Sequence, residues 1–153
     1  MIPITFKPAG KYRFAIDLHD AEQAGLHYDI RIEAQNNDSD TIVLICWTTK
    51  KLKDIIFKRK IAIFPTDDHP LSFLTFEGEI NKGYGKGIIR KWDTGTYDVI
   101  KQERNILILN FKGKKFNGPF AFIPINKKNW LLVKVKYIKE KYEFQEWDIS
   151  DIL

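Results

Sequence analysis

The 153-residue chain is 44% hydrophobic with a formal net charge of +5, enough apolar material for one core at the size of one domain. No apolar run approaches the roughly 18 residues of a membrane-spanning helix, and the opening MIPITFKPAG lacks the apolar stretch of a secretory signal. The single cysteine, Cys46, excludes an internal disulfide and reads as a small buried hydrophobe within TIVLICW. These features predict a single domain over residues 1–153, monomeric, with no membrane partner and located in a reducing cytoplasm. The positive charge suits a polyanionic partner without requiring one, because a solvated lysine-rich surface accounts for it equally well.

In chain order, DAEQAG (20–25) reads as a single helical turn, followed by strands in LHYDIRIE (26–33) and TIVLICW (41–47). WTTKKLKDII offers a second short helical stretch. Strands then follow in KRKIAIF (58–64), KGIIRKW (86–92), GTYDVI (95–100), NILILNF (105–111), GPFAFIP (118–124) and NWLLVKVKYI (129–138). All have period two and are rich in β-branched and aromatic residues. The segments NNDSD, DDHP, NKGYGKG, DTG, KGKKFNG and NKKN separate them as turns. The tail KYEFQEWDISDIL is expected to cover an open end of the sheet or to form a short terminal element. About eight short strands with little helix point to a mainly β barrel or sandwich.

Chemistry concentrates in LHYDIRIE. Alternation sends Leu26, Tyr28, Ile30 and Ile32 to one face and His27, Asp29, Arg31 and Glu33 to the other. His27 and Asp29 stand about 7 Å apart along the backbone, so their side chains can converge on one ion, with His19 just upstream as the nearest third ligand. Imidazole plus carboxylate suits Mn, Fe, Co or Zn rather than Mg or Ca. Arg31 follows on the same face, where a planar guanidinium can grip a phosphate through two hydrogen bonds. Spacing alone leaves a structural polar face as the competing reading. His69, in TDDHPLSF, is held extended by Pro70 and taken alone reads as a surface residue. GEINKGYGKG lacks both the strand–loop–helix context and the Lys-Ser/Thr ending of a phosphate loop, so its glycines read as a hairpin. The nearby Lys82, Tyr84, Lys86 and Trp92 could still touch a DNA backbone. No base accompanies Cys46 to make it a nucleophile.

Four ordered motifs then bear a resemblance. FAIDLHDA with LHYDIRIE, DDHPLSFLTFEGEI, YGKGIIRKWDTGTY, and GPFAFIP with NWLLVK resemble the signatures of the 3′-phosphoesterase domain of bacterial DNA ligase D, which also occurs free-standing. The resemblance runs from about Phe14 to Val135. It implies a compact antiparallel β-barrel of about eight strands with little helix. It also implies a manganese-dependent activity, for which Co2+ or Zn2+ would also suit the ligands. That activity removes a 3′-terminal ribonucleoside and then the 3′-phosphate, healing DNA primer–template 3′ ends for break repair by end joining beside an ATP-dependent ligase, a repair polymerase and a Ku-type protein. Carried over by position, His19, His27 and Asp29 match the metal ligands, and Arg31 and His69 match the catalytic residues that hold the scissile phosphate, with Asp67 and Glu33 in support. His27 follows His19 by eight positions where the family has six. Phe73 stands where it has a tyrosine, Asp67 stands where it has a glutamate, and the N-terminal arm is short.

With a metal supplying Lewis acidity, Arg31 would neutralise phosphate charge, and His69 would either protonate the leaving 3′-oxygen or stabilise the pentavalent charge. Two rival classes fit parts of the pattern. A non-haem iron oxygenase would use His27, Asp29 and a later His as a facial triad, with Lys134 or Lys136 holding a cosubstrate. A catalytically impaired nucleic-acid-binding barrel would bind DNA without turnover.

Overall fold

The computed structural model describes residues 4–6, 12–36, 41–138 and 141–143, with 137–138 and 141–143 described as backbone alone. Its strands are β1 (Ile4–Thr5), β2 (Tyr12–Ala21), β3 (Gly25–Asn36), β4 (Ile42–Thr49), β5 (Lys60–His69), β6 (Gly78–Ile80), β7 (Gly87–Glu103), β8 (Ile106–Lys112), β9 (Asn117–Pro124), β10 (Trp130–Lys134), β11 (Lys136–Ile138) and β12 (Lys141–Glu143). All pairings are antiparallel. The order β3-β2-β7-β8-β9-β10-β5-β4 closes on itself because β3 also pairs with β4, giving an eight-stranded barrel. β1 adds to β3, β6 adds to β7, and β11 with β12 forms a separate two-stranded sheet. The expected β-barrel is therefore the observed fold.

Several elements differ from expectation. DAEQAG forms no helical turn: Asp20 and Ala21 end β2, and a turn leads into β3 at Gly25. DTG is not a turn either. Asp93, Thr94 and Gly95 lie inside the long β7, which joins two strands expected to be separate. A β-bulge absorbs the irregularity there, because Ile16 faces Asp93 while Asp17 faces Lys91, leaving Trp92 as the extra residue. The second helical stretch does form, as a 3-10 turn over Leu52–Asp54 and α1 over Ile55–Lys58. The predicted strand 129–138 is broken at Val135 into β10 and β11. Of the tail, 141–143 pairs with 136–138, and the rest lies outside the described residues.

The barrel interior is filled by one set of each alternating pair. Phe14 and Ile16 from β2, Tyr28, Ile30 and Ile32 from β3, Trp47 from β4, and Phe111, Phe120, Phe122 and Leu132 form the main core. Aromatic rings meet there edge-on, as in Phe14–Phe111 and Trp47–Trp130. Leu26, expected on this face, lies beyond the core beside the β2–β3 turn and is 57% exposed. Outside the wall, Leu74 from the 3-10 turn Leu71–Leu74 packs with Ala15, Leu44 and Cys46, and Leu71 and Phe73 flank them. This small second cluster roofs the outer face of β2, β3 and β4.

The 113–116 loop between β8 and β9 is fixed by Asp93. Its carboxylate accepts backbone N–H groups from Thr94 at 2.9 Å, Lys114 at 3.0 Å, Lys115 at 2.9 Å and Phe116 at 2.7 Å. Gly113 is required beneath it, since a Cβ there would stand 2.3 Å from Asp93 Oδ2. Replacing Asp93 with alanine would leave buried amides without an acceptor. Asp93→Ala should lose about 2–4 kcal/mol of unfolding free energy and Asp93→Asn less. Chemical denaturation would show this as a lower midpoint with an unchanged slope.

Candidate active site

The β2–β3 hairpin brings four of the expected residues, His19, His27, Asp29 and Arg31, together by register alone. His19 faces His27, Asp17 faces Asp29 and Ala15 faces Arg31. Directly opposed residues share a face, so the outer side of this ladder holds His19, His27, Asp17, Asp29 and Arg31. The eight-residue spacing between the two histidines places them opposite each other, with ring centroids 4.7 Å apart. On the other flank of β3, Arg31 faces Cys46 and Asp29 faces Thr48.

Each imidazole is fixed by a backbone carbonyl. His19 Nε2 lies 2.7 Å from Gly85 O, and His27 Nδ1 lies 2.9 Å from Gly25 O. A carbonyl only accepts, so these nitrogens carry the N–H. The opposite nitrogens then turn toward one carboxylate: His19 Nδ1 is 3.1 Å from Asp29 Oδ2, and His27 Nε2 is 3.2 Å from Asp29 Oδ1. Two lone-pair nitrogens facing a carboxylate call for a cation between them. Ligand atoms about 2.1 Å from a common ion stand about 3 Å apart when they subtend a right angle. The ligand atoms of His19, His27 and Asp29 all lie within 4.8 Å of one another. Carbonyl-anchored imidazoles are also the usual outer support of a metal site.

Where no cation is held and the imidazoles are protonated, burial pushes the Asp29 carboxyl up, but hydrogen bonds from His19 and His27 and the charge of Arg31 outweigh it and hold it well below the usual carboxylate range. The Asp29 hydrogen bond raises His27 against its own burial.

Arg31 is almost wholly buried. Its Nε donates to Asp17 Oδ2 at 2.9 Å, its Nη1 to Cys46 Sγ at 3.3 Å and its Nη2 to Asp29 Oδ2 at 3.4 Å. Burial drives the Cys46 thiol up to about 12 despite Arg31 beside it, so Cys46 is a neutral packing partner. His69 Nδ1 lies 2.9 Å from Asp67 O and 3.6 Å from Cys46 Sγ. The carbonyl assigns its proton to Nδ1 and leaves a lone pair on Nε2. Burial, then the charge of Arg31, lowers the His69 pKa.

His19, His27, Asp29, Arg31, Asp67 and His69 all line one cleft of about 910 Å3 on the outside of the barrel. Glu33 does not line it. Glu33 turns the other way and takes a bidentate pair of bonds from Arg13, at 2.8 and 2.7 Å.

The structure adds groups that motif reading did not select. Asp17 is completely buried, with Lys91 Nζ 2.6 Å from its Oδ1. Asp17 was accessible to the same period-two logic, standing two residues before His19. Lys91 was not, because its position depends on pairing across the β7 bulge. Of the expected DNA-contact residues only Tyr84 lines the cleft, without Lys82, Lys86 or Trp92, and it is joined there by Phe64 and by Lys50, Lys51, Lys58 and Lys60. Their convergence comes from the fold of 50–60 around α1, which no local pattern signals. Gly87, at a φ of 153°, lets β7 pass so close to β2 that a Cβ would stand 2.1 Å from Asp20 O. That contact brings the 81–86 turn, and with it Gly85 O, onto His19.

Comparison with known proteins agrees with this geometry. Residues 17–124 match the DNA ligase D 3′-phosphoesterase domain. The chain belongs to that family. It is 35% identical over 146 residues to the multifunctional non-homologous end joining DNA repair protein LigD of Mycobacterium tuberculosis, covering 92% of this chain and 18% of the relative. Similar LigD proteins of Mycolicibacterium smegmatis and Pseudomonas aeruginosa are each 31% identical. They cover 85% and 83% of this chain, and 18% and 15% of their own lengths. The chain thus spans less than a fifth of these curated relatives. Three of the four motifs that carry the resemblance contribute residues to the cleft, and the closing strands GPFAFIP and NWLLVK do not.

The Arg13–Glu33 pair gives a pH prediction. Arg13 holds the Glu33 carboxyl below its ordinary value, against a smaller opposing effect of burial. A depressed carboxylate contributes stability above its unfolded pKa of about 4.3 and loses it as pH falls through the folded value. Wild type should exceed Arg13→Ala by about 0.5–1 kcal/mol at neutral pH, since Arg13 is half exposed. The gap should close in acid, as measured by denaturant unfolding at a series of pH values.

Proposed function

We infer that the domain is a metal-dependent 3′-phosphoesterase that removes the 3′-phosphate from DNA primer–template ends, serving break repair by end joining. The observation that carries the reading is the pair of carbonyl-anchored histidines aimed at one carboxylate, beside a buried arginine, within a chain that belongs to the 3′-phosphoesterase family. His19, His27 and Asp29 would hold the ion, with manganese as the favoured occupant and cobalt or zinc also compatible with the ligand set. When bound, the ion supplies Lewis acidity toward a phosphate oxygen.

The chain's own residues supply the rest. Arg31 takes non-bridging phosphate oxygens, and His69 stands over the same cleft. A lowered pKa leaves His69 neutral near pH 7 in the free protein. An arriving phosphate dianion favours its protonation, so His69 can hold a proton at Nε2 for the leaving 3′-oxygen. Lys50, Lys51, Lys58 and Lys60 give the cleft wall the positive charge that a nucleic-acid backbone requires, and Phe64 and Tyr84 offer rings to bases or sugars. Removal of a 3′-terminal ribonucleoside is proposed as a second activity of the same cleft. An ATP-dependent ligase, a polymerase and a Ku-type protein are proposed as companions, and the cytoplasm as the compartment. The oxygenase alternative loses its later histidine, because His69 is outside the ligand group formed by His19, His27 and Asp29.

The test offers a primer–template ending in 3′-phosphate, and another ending in one ribonucleotide, with manganese or with chelator. Phosphate release that needs manganese and disappears in His27→Ala is expected. No metal-dependent release from either substrate would overturn the reading. If His69 donates the proton, activity falls as pH rises through its pKa, so His69→Ala should lose that alkaline limb together with about 10²–10⁴-fold in kcat. A variant that keeps both limbs assigns His69 to charge stabilisation instead.

A further inference from the structure

Behind the cleft lie two charged side chains that the reaction above does not use. Asp17 is fully buried, the Lys91 side chain is only 12% exposed, and neither lines the cleft. They touch each other at 2.6 Å, and each reaches the phosphate side of the site by a different route. Asp17 accepts from Arg31 Nε at 2.9 Å. Lys91 Nζ donates at 2.6 Å to Phe73 O, and the Phe73 ring lies 5.2 Å from Arg31 Cζ and 4.9 Å from the His69 ring, nearly edge-on.

We propose that Asp17 and Lys91 form a positioning pair for phosphate recognition, in which Asp17 orients the Arg31 fork and Lys91 cancels the charge of Asp17 while tying down the Leu71–Leu74 turn. This rests on the phosphoesterase reading.

Counting donors supports the first half. A guanidinium has five N–H bonds. Asp17 takes the one on Nε, Cys46 one on Nη1 and Asp29 one on Nη2. Two remain, one on each terminal nitrogen, which is the pair that a phosphate accepts in bidentate fashion. Release of Nε would free the whole fork to rotate.

Charge supports the second half. Arg31 is bracketed by two carboxylates, so Arg31, Asp17 and Asp29 together sum to −1. A dianionic phosphate brought beside them inside a low-dielectric wall would be repelled. The ammonium of Lys91 returns the sum to zero, leaving the charge of a bound divalent ion for the phosphate. The β7 bulge makes this contact possible. Without it Asp17 would face Trp92, whose ring instead packs edge-on against Tyr28 at 5.6 Å.

The test compares Lys91→Gln, Asp17→Ala and the double variant Asp17→Asn/Lys91→Gln with wild type. The readouts are binding of inorganic phosphate in the presence of manganese, kcat and KM on a 3′-phosphate end, and manganese affinity. Lys91→Gln keeps a donor for Phe73 O but strands the Asp17 charge, so phosphate affinity should fall about tenfold, with manganese affinity within about twofold of wild type. The double variant is a neutral pair that can still accept from Arg31 Nε, and it should recover phosphate affinity to within about threefold of wild type. Asp17→Ala should lose about 100-fold in kcat. Should Lys91→Gln fail to fold, the double variant and Lys91→Met in the Asp17→Asn background still test the charge balance. Wild-type phosphate affinity in Lys91→Gln, or a double variant no better than the single, would overturn the pairing while leaving wild-type turnover intact. A wild type that neither turns over 3′-phosphate nor binds phosphate would overturn both readings.

Discussion

Ionic side chains withheld from water on the outside of a barrel wall are the constraint around which this domain is arranged. Asp17, His19, His27, Asp29 and Arg31 are all buried, although they project away from the main core. A lone charge in that position would be prohibitive, so each must meet an opposite charge or a dipole. The pairing of β2 with β3 meets that demand by setting Asp17 beside Asp29 and His19 beside His27, with Arg31 one step along to bridge the carboxylates. The Leu71–Leu74 turn and the 81–86 segment then close over the ladder. Removing any one member leaves another unpaired, which is why the array acts as a unit.

This dependence also shows how much could be read from residues alone. The face shared by His27, Asp29 and Arg31 was legible, because alternation within one strand is local. Strand number and turn spacing narrowed the fold to a barrel or sandwich, and the family resemblance chose the barrel. β2 was not recognised as a strand: its apolar members Phe14, Ile16 and Leu18 are interleaved with Arg13, Asp17 and His19, and the burial of Asp17 and His19 draws on Lys91 and Gly85, far along the chain. Asp93-Thr94-Gly95 has the composition of a turn, yet Asp93 spends its carboxylate on the 113–116 loop and Gly95 admits the Lys112 carbonyl and the Phe14 ring, so the strand runs on. Glu33 has the right face for the site, but Arg13 claims it from the neighbouring strand. Such outcomes depend on which distant partner arrives, and no window of sequence contains that information.

The departures from the family pattern take on physical meaning in the same way. The longer His19–His27 interval lengthens the hairpin without breaking the facing of the two rings, since residues whose numbers sum to a constant stay opposed. Phe73, in place of a hydroxyl-bearing ring, contributes an aromatic face to Arg31 and an edge contact to His69, together with a carbonyl that holds Lys91. Asp67 presents its backbone carbonyl to His69, so a shorter side chain there leaves the imidazole tautomer unchanged.

Closure of the barrel separates two kinds of residue that most enzymes intermingle. Among the described residues, the inward set from Phe14 and Ile30 to Trp47 and Phe122 stays clear of the cleft, and of the main core only Ile61 also lines it. Core substitutions of conserved volume can therefore raise or lower thermal resistance with little leverage on chemistry, while changes at exposed cleft positions such as Lys50 and Tyr84 can redirect substrate choice with little leverage on folding. A lineage can adjust the two properties along separate axes, and an engineer can do the same by choosing between a core side chain and an exposed one on the cleft rim.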